Sequence, residues 1–108
     1  MTVRYMKDDE YAYVRHLLMR AGEDRWLVHL KDLRVQPMRD GGMGSLRFYS
    51  SNPDRRRVER VAVDEFKDSD GIPVSVEITI DQYGDLFELD SFKADFTSLH
   101  AWPTISDS

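Results

Sequence analysis

At 108 residues, 41% apolar and 32% charged, with a formal charge of −5, the chain has the length of one domain and enough apolar surface for one core, which excludes a disordered tract. The absence of cysteine excludes disulfides, thiolate zinc sites and a cysteine nucleophile. The acidic balance argues against nonspecific nucleic-acid or membrane attraction, no apolar run reaches the roughly 20 residues of a membrane span, and the first nine residues lack the apolar core of a signal peptide, so a cytoplasmic protein without nucleic-acid or membrane partners is expected.

Asp8 or Asp9 can cap a helix over about 10–22, because Tyr11, Val14, Leu17, Leu18 and Ala21 recur at steps of three and four and Gly22 ends the run. Leu33 and Val35 suggest a strand over about 32–38, in which Pro37 argues against a central ladder position. The turn Asp40-Gly41-Gly42-Met43-Gly44 leads to a second run, Leu46 to Tyr49, that should pair with the first as a hairpin. Residues 57–66 alternate as a third strand. After the Asp70-Gly71 turn, Val74, Val76, Ile78 and Ile80 alternate with polar residues as a half-buried antiparallel strand. Past Tyr83-Gly84, Phe87 and Leu89 alternate with Glu88 and Asp90, then the apolar phase moves to Phe92, Ala94 and Phe96, which predicts a β-bulge near Asp90-Ser91. The expected fold is α+β: one domain over 1–108, with an N-terminal amphipathic helix packed on an antiparallel meander of about five strands. A short tail over about 97–108 docks through Trp102 and Ile105 and frays at Ser106-Asp107-Ser108.

Few residues carry a chemical signature. Asp68-x-Asp70-Gly71 with Glu77 has part of the spacing of a calcium loop, but Phe66 stands at the first-ligand position and Glu77 lies in a strand, so a hairpin turn is the simpler reading. The Gly41-Gly42-x-Gly44 cluster lacks a following lysine and helix and reads as a turn rather than a phosphate loop. His16, His29 and His100 are scattered, with no metal or hydrolase spacing. Neither a metal nor a cofactor is expected. Arg55, Arg56, Arg57 and Arg60 alternate with acids and read as a solvated strand face. The acids of the last hairpin, Asp81, Asp85, Glu88 and Asp90, are the candidate partner-binding surface, since clustered like charges are unfavourable to the fold alone. Their reversal should leave folding nearly unchanged. If that surface is not the interface, Gly41 to Gly44 with an exposed Met43 is the next candidate.

Three segments, Asp40-Gly41-Gly42-Met43-Gly44-Ser45-Leu46, Phe66-x-Asp68-x-Asp70-Gly71 and Glu88-Leu89-Asp90-x-Phe92-Lys93-x-Asp95-Phe96, resemble in this order an uncharacterised family of small bacterial proteins, in which Trp often stands at the position of Phe92. The likeness runs from the helix to Phe96. That family has no established activity, and its size, charge and α+β build are similar to those of immunity proteins that neutralise bacterial toxins. The resemblance implies a non-enzymatic cytosolic binding protein whose acidic face meets a protein partner, such as a basic toxin domain. The alternative is a small enzyme or ligand-binding domain with a pocket between helix and sheet, using His29 or His100 with a carboxylate. The oligomeric state stays open.

Overall fold

In the computed structural model, which describes residues 2–105, the helix α1 runs Asp8–Arg20 rather than over about 10–22. Neither Asp8 nor Asp9 is its N-cap. That position is Lys7, whose backbone N–H donates to Glu10 Oε1 at 2.8 Å, the reach-back half of a capping box. Arg4 donates to both oxygens of the same carboxylate, at 2.7 and 3.0 Å, so this buried first-turn acid is paired and also complements the helix dipole. At the other end Gly22 takes a left-handed φ of 76°. Glu23 N–H then reaches Leu18 O at 2.8 Å and Gly22 N–H reaches Met19 O at 3.1 Å, the two bonds of a Schellman stop. Between these ends Tyr13, Val14, Leu17 and Leu18 form the buried stripe, at the spacing that places side chains on one helix face.

Among the described residues six antiparallel strands form a single sheet: β1 (Arg4–Tyr5), β2 (Arg34–Pro37), β3 (Leu46–Phe48), β4 (Arg57–Lys67), β5 (Pro73–Asp81) and β6 (Leu86–Lys93). The strand beyond the expected five is β1, two residues paired with the start of β2. Their order, β1-β2-β3-β6-β5-β4, departs from a meander. The last strand returns to lie between β3 and β5, which leaves β4 on the edge. Burial explains the exchange. Nearly all of β6 is buried, which suits a central place, whereas β4 carries Arg57, Glu59, Arg60, Asp64, Glu65 and Lys67, charges that stay solvated on an edge and guard it against stray pairing. Pro37 pairs with Leu46 on one side but lies beyond the reach of the two-residue β1 on the other, so its missing N–H breaks no ladder.

The bulge expected at Asp90-Ser91 is not there. Pairing of β5 with β6 is unbroken from Thr79↔Glu88 to Val74↔Lys93, and the register shifts between Thr79 and Ile80 instead. Residue type changes phase while the backbone does not: Leu89, Ser91 and Lys93 are buried, and Asp90 and Phe92 turn the other way. Two polar side chains therefore point into the covered face and one aromatic ring points out of it.

α1 covers one face of the sheet. Its stripe packs with Val35, Leu46, Phe48, Ala62, Val74, Val76, Ile78 and Leu89, and Tyr13 Oη donates to Asp64 on β4 at 2.6 Å. The expected tail does dock: Trp102 is buried, stacked on Tyr13 at 5.1 Å, with Phe66 at 6.1 Å, and Ile105 packs beside this core. The predicted fraying at 106–108 lies outside the described residues. The glycine turn is the seat for this segment. Leu99 N–H donates to Gly42 O at 2.9 Å, and a Cβ on Gly44, whose φ is 100°, would stand 2.8 Å from the Trp102 ring and 3.0 Å from Leu99. Gly44→Val should therefore cost about 2 kcal/mol or more, combining left-handed strain with overpacking. Gly41→Val, whose Cβ would meet nothing within 4 Å, should cost only the strain, about 1 kcal/mol. Urea unfolding followed by tryptophan fluorescence distinguishes them, and equal losses would refute the seating. Among the described residues no helix is long and apolar enough to cross a membrane.

Candidate functional site

The four acids of the last hairpin do not share one exposed surface. The Asp81 carboxylate is fully buried: Oδ2 accepts Arg55 Nε at 2.6 Å, while Oδ1 accepts the N–H groups of Tyr83 at 2.9 Å and Asp85 at 3.1 Å. Arg55 then donates to Phe48 O and Leu86 O, so it is a fastener between β3, β5 and β6 and not part of a solvated face. Burial opposes the charge on Asp81, yet Arg55 and the two turn amides outweigh it and lower its pKa. Glu88 is buried and paired with Arg47 across the β3–β6 ladder. Asp85 is exposed at the turn, and Asp90 is half-buried. Only Asp85 and Asp90 of the four are accessible and free of an ion pair among the described residues.

A second cluster joins two of the sequence segments. Lys93 is fully buried, and its Nζ donates to Asp68 Oδ2 at 2.9 Å, Asp70 Oδ2 at 2.7 Å and Ser98 O at 3.0 Å. Asp68 also accepts the N–H groups of Ser69, His100 and Ala101. These amides and Lys93 overcome burial and hold its pKa far below the carboxylate range, while the two carboxylates raise that of Lys93 against its own burial. The residues that resemble part of a calcium loop thus surround a lysine ammonium. Asp68, Asp70 and His100 have ligand atoms within 4.8 Å of one another, but the cation between the two carboxylates is Lys93. His100 is the histidine that meets a carboxylate: its Nδ1 lies 3.0 Å from Ser69 Oγ and its Nε2 3.7 Å from Asp70. Asp70 is already engaged by Lys93, and 3.7 Å exceeds a hydrogen bond, so the trio is not assembled for proton transfer. His29 is exposed, and the layer between helix and sheet is filled by the core.

The sheet face opposite α1 carries a shallow depression of about 270 Å³. Cross-strand register builds it: Val63, Glu77 and Asp90 form one row, with Glu65, Ser75 and Phe92 beside it, because directly paired residues project from the same face. Glu77 is held by Arg57 at 2.9 Å and Arg60 at 3.7 Å. Asp90 accepts no hydrogen bond and has no ion pair among the described residues. Partial burial, reinforced by Glu88 and Glu77, pushes its pKa up to about 6, with Arg57 and Arg47 opposing. The Gly41–Gly44 turn is a weaker candidate, since Met43 is half-buried with its Sδ accepting Lys93 N–H, and the Met43 and Ser45 amides are taken by Asp40.

The acids Asp68, Asp70 and Asp81 stand out in the sequence, but nothing there marks Lys93 and Arg55 as their structural complements. The pairs lie 23 to 26 positions apart (Lys93–Asp70 and Arg55–Asp81), and no local periodicity signals them.

An α+β protein with one α-helix on one sheet face and none on the other, among the described residues, is the class that fold and site define. The chain belongs to a family described as a domain of unknown function, DUF6984, whose model matches residues 3–103. No curated protein and no solved structure matches it.

Proposed function

We propose that the protein is a non-enzymatic, cytoplasmic binding module whose helix-free sheet face takes a basic group of a protein partner at Asp90. Immunity-type neutralisation of a basic toxin domain is its most specific form, and that form rests on the resemblance in size, charge and build. One observation supports the site above the others: Asp90 is a half-buried carboxylate with no cation of its own, in a sheet whose other buried acids all have one. An acid that weakens the free fold and lies at an open surface suits a group completed by a partner.

The sign of its effect on stability is unusual for an aspartate. With a folded pKa near 6 against the ordinary 3.8, the native state binds more protons than the unfolded one between these values. Stability therefore falls as pH rises through that window. Solvent screening at a half-open site leaves the effect at about 1 kcal/mol. Asp90→Asn should accordingly raise the melting temperature at pH 7.5 by a few degrees and flatten the fall between pH 4 and 6, as calorimetry would record. A variant that melts lower at pH 7.5 would refute this account of Asp90.

The functional test is affinity capture from the native host with the wild type, Asp90→Lys and Asp32→Lys, the last an equal charge change at an exposed position on the connection before β2. A partner retained by wild type and Asp32→Lys but lost by Asp90→Lys is the expected result. Equal capture by all three would place the interface elsewhere.

A further inference from the structure

We infer that the Asp90 depression is a seat for an arginine side chain of the partner, with an apolar side chain of the same segment covering Val63, Phe92 and Phe96; this rests on the protein-binding reading above. At about 270 Å³ the depression lies at the small end of the roughly 300–1,000 Å³ of ordinary ligand pockets, which favours a single side chain over a larger molecule. It admits one long side chain entering from the open face.

Charge selects a single cation. Around the depression Glu77 already holds Arg57 and Arg60, Glu88 holds Arg47, and Asp64 holds Arg20; Glu65 is exposed to solvent, which leaves Asp90 as the one half-buried carboxylate without a partner among the described residues there. Both of its oxygens are free, the acceptor pair that a guanidinium fork meets with two parallel N–H bonds and that an ammonium cannot match. The ring of Phe92 lies two residues along β6 on the same face, about 7 Å away by strand rise, and offers an aromatic surface to the guanidinium.

Apolar exposure selects the neighbour. Val63, Phe92 and Phe96 are 52%, 49% and 68% exposed, and the two rings meet edge to face at 5.2 Å. Phe96 has a φ of 65°, a left-handed conformation that bulky residues rarely adopt. A turn holds it there: Phe96 N–H donates to Lys93 O at 2.9 Å, and Thr97 closes on Asp95 through both its N–H and its hydroxyl. The backbone thus accepts strain in a conformation that leaves an aromatic ring in water beside Phe92, an arrangement that gains when a second apolar side chain covers it.

The test is an amide NMR titration of the full chain with three blocked tripeptides: arginyl-glycyl-leucine, lysyl-glycyl-leucine and arginyl-glycyl-glycine. The first should perturb Val63, Glu77, Asp90 and Phe92 with a millimolar Kd, roughly fivefold tighter than either of the others. Asp90→Asn, which the same spectra show to be folded, should abolish the perturbation. Equal binding of all three peptides at Asp90 would overturn the arginine-plus-apolar specificity and leave the basic-group reading standing. If no peptide perturbs this face, or if the perturbation survives Asp90→Asn, both fall.

Discussion

Asp68→Ala should destabilise the protein by about 3–5 kcal/mol, the range for removing one partner of a buried ion pair and a large part of the roughly 5–15 kcal/mol by which a domain is stable. The carboxylate it deletes is fully buried and holds three elements together: Lys93 on β6, the Ser69 amide in the β4–β5 turn, and the His100 and Ala101 amides that lead Trp102 into the core. Its loss leaves the ammonium short of an acceptor and two tail amides unpaired. Urea unfolding measures the cost, and the double variant Asp68→Ala/Lys93→Met should recover part of it, because the uncompensated charge goes as well. The acid limb gives a second readout. Asp68 titrates far below its ordinary value, so its stabilisation is present above the ordinary carboxylate range and is lost as pH falls beneath it; the variant should lack that part of the acid dependence. A loss of under 1 kcal/mol, or a melting temperature raised by calcium in the wild type, would show that Lys93 is not the resident cation of this cluster.

The same cluster marks how far the sequence could be read. The helix, its glycine stop and the strands from Leu46 onward follow from periodicity, because apolar residues at steps of three and four or of two must face one core. The inward turn of Ser91 and Lys93 breaks that inference. A lysine on the core face looks like a change of strand phase, and a bulge was the natural deduction; nothing in the alternation reveals that Asp68 and Asp70, across the sheet, wait for the ammonium. Arg55 likewise looks in the sequence like its exposed neighbours Arg56 and Arg57, although it alone of the three reaches inward. The edge position of β4 is legible in principle from its six charged residues of eleven. The central place of β6 was not, since strand order depends on long-range pairing that two short runs, β2 and β3, signal weakly. In the sequence Asp90 stands out only as a member of an acidic group, whereas in the fold its distinction is that its neighbours Glu77 and Glu88 are neutralised and it is not.

Asp81→Lys should unfold the protein, at a cost of more than about 4 kcal/mol, although it looks from the sequence like a harmless reversal on a hairpin surface. The site is closed to solvent, so the new ammonium would face the Arg55 guanidinium at the distance of an ion pair, 2.6 Å in the native contact, with like charges unscreened and the Tyr83 and Asp85 amides unpaired. Asp81→Asn keeps an acceptor and should cost less, about 1–3 kcal/mol. Asp85→Lys, two residues past Tyr83 and exposed, should change stability by no more than about 0.5 kcal/mol. Far-UV circular dichroism and chemical unfolding of the three variants give the ranking, and an Asp81→Lys protein as stable as wild type would remove Asp81 and Arg55 from the core of the fold. The ranking also governs how binding data are read. Lost binding in an Asp81 reversal reports the collapse of the β5–β6 turn, whereas lost binding in an Asp90 variant that melts no lower than wild type locates the partner on the open sheet face.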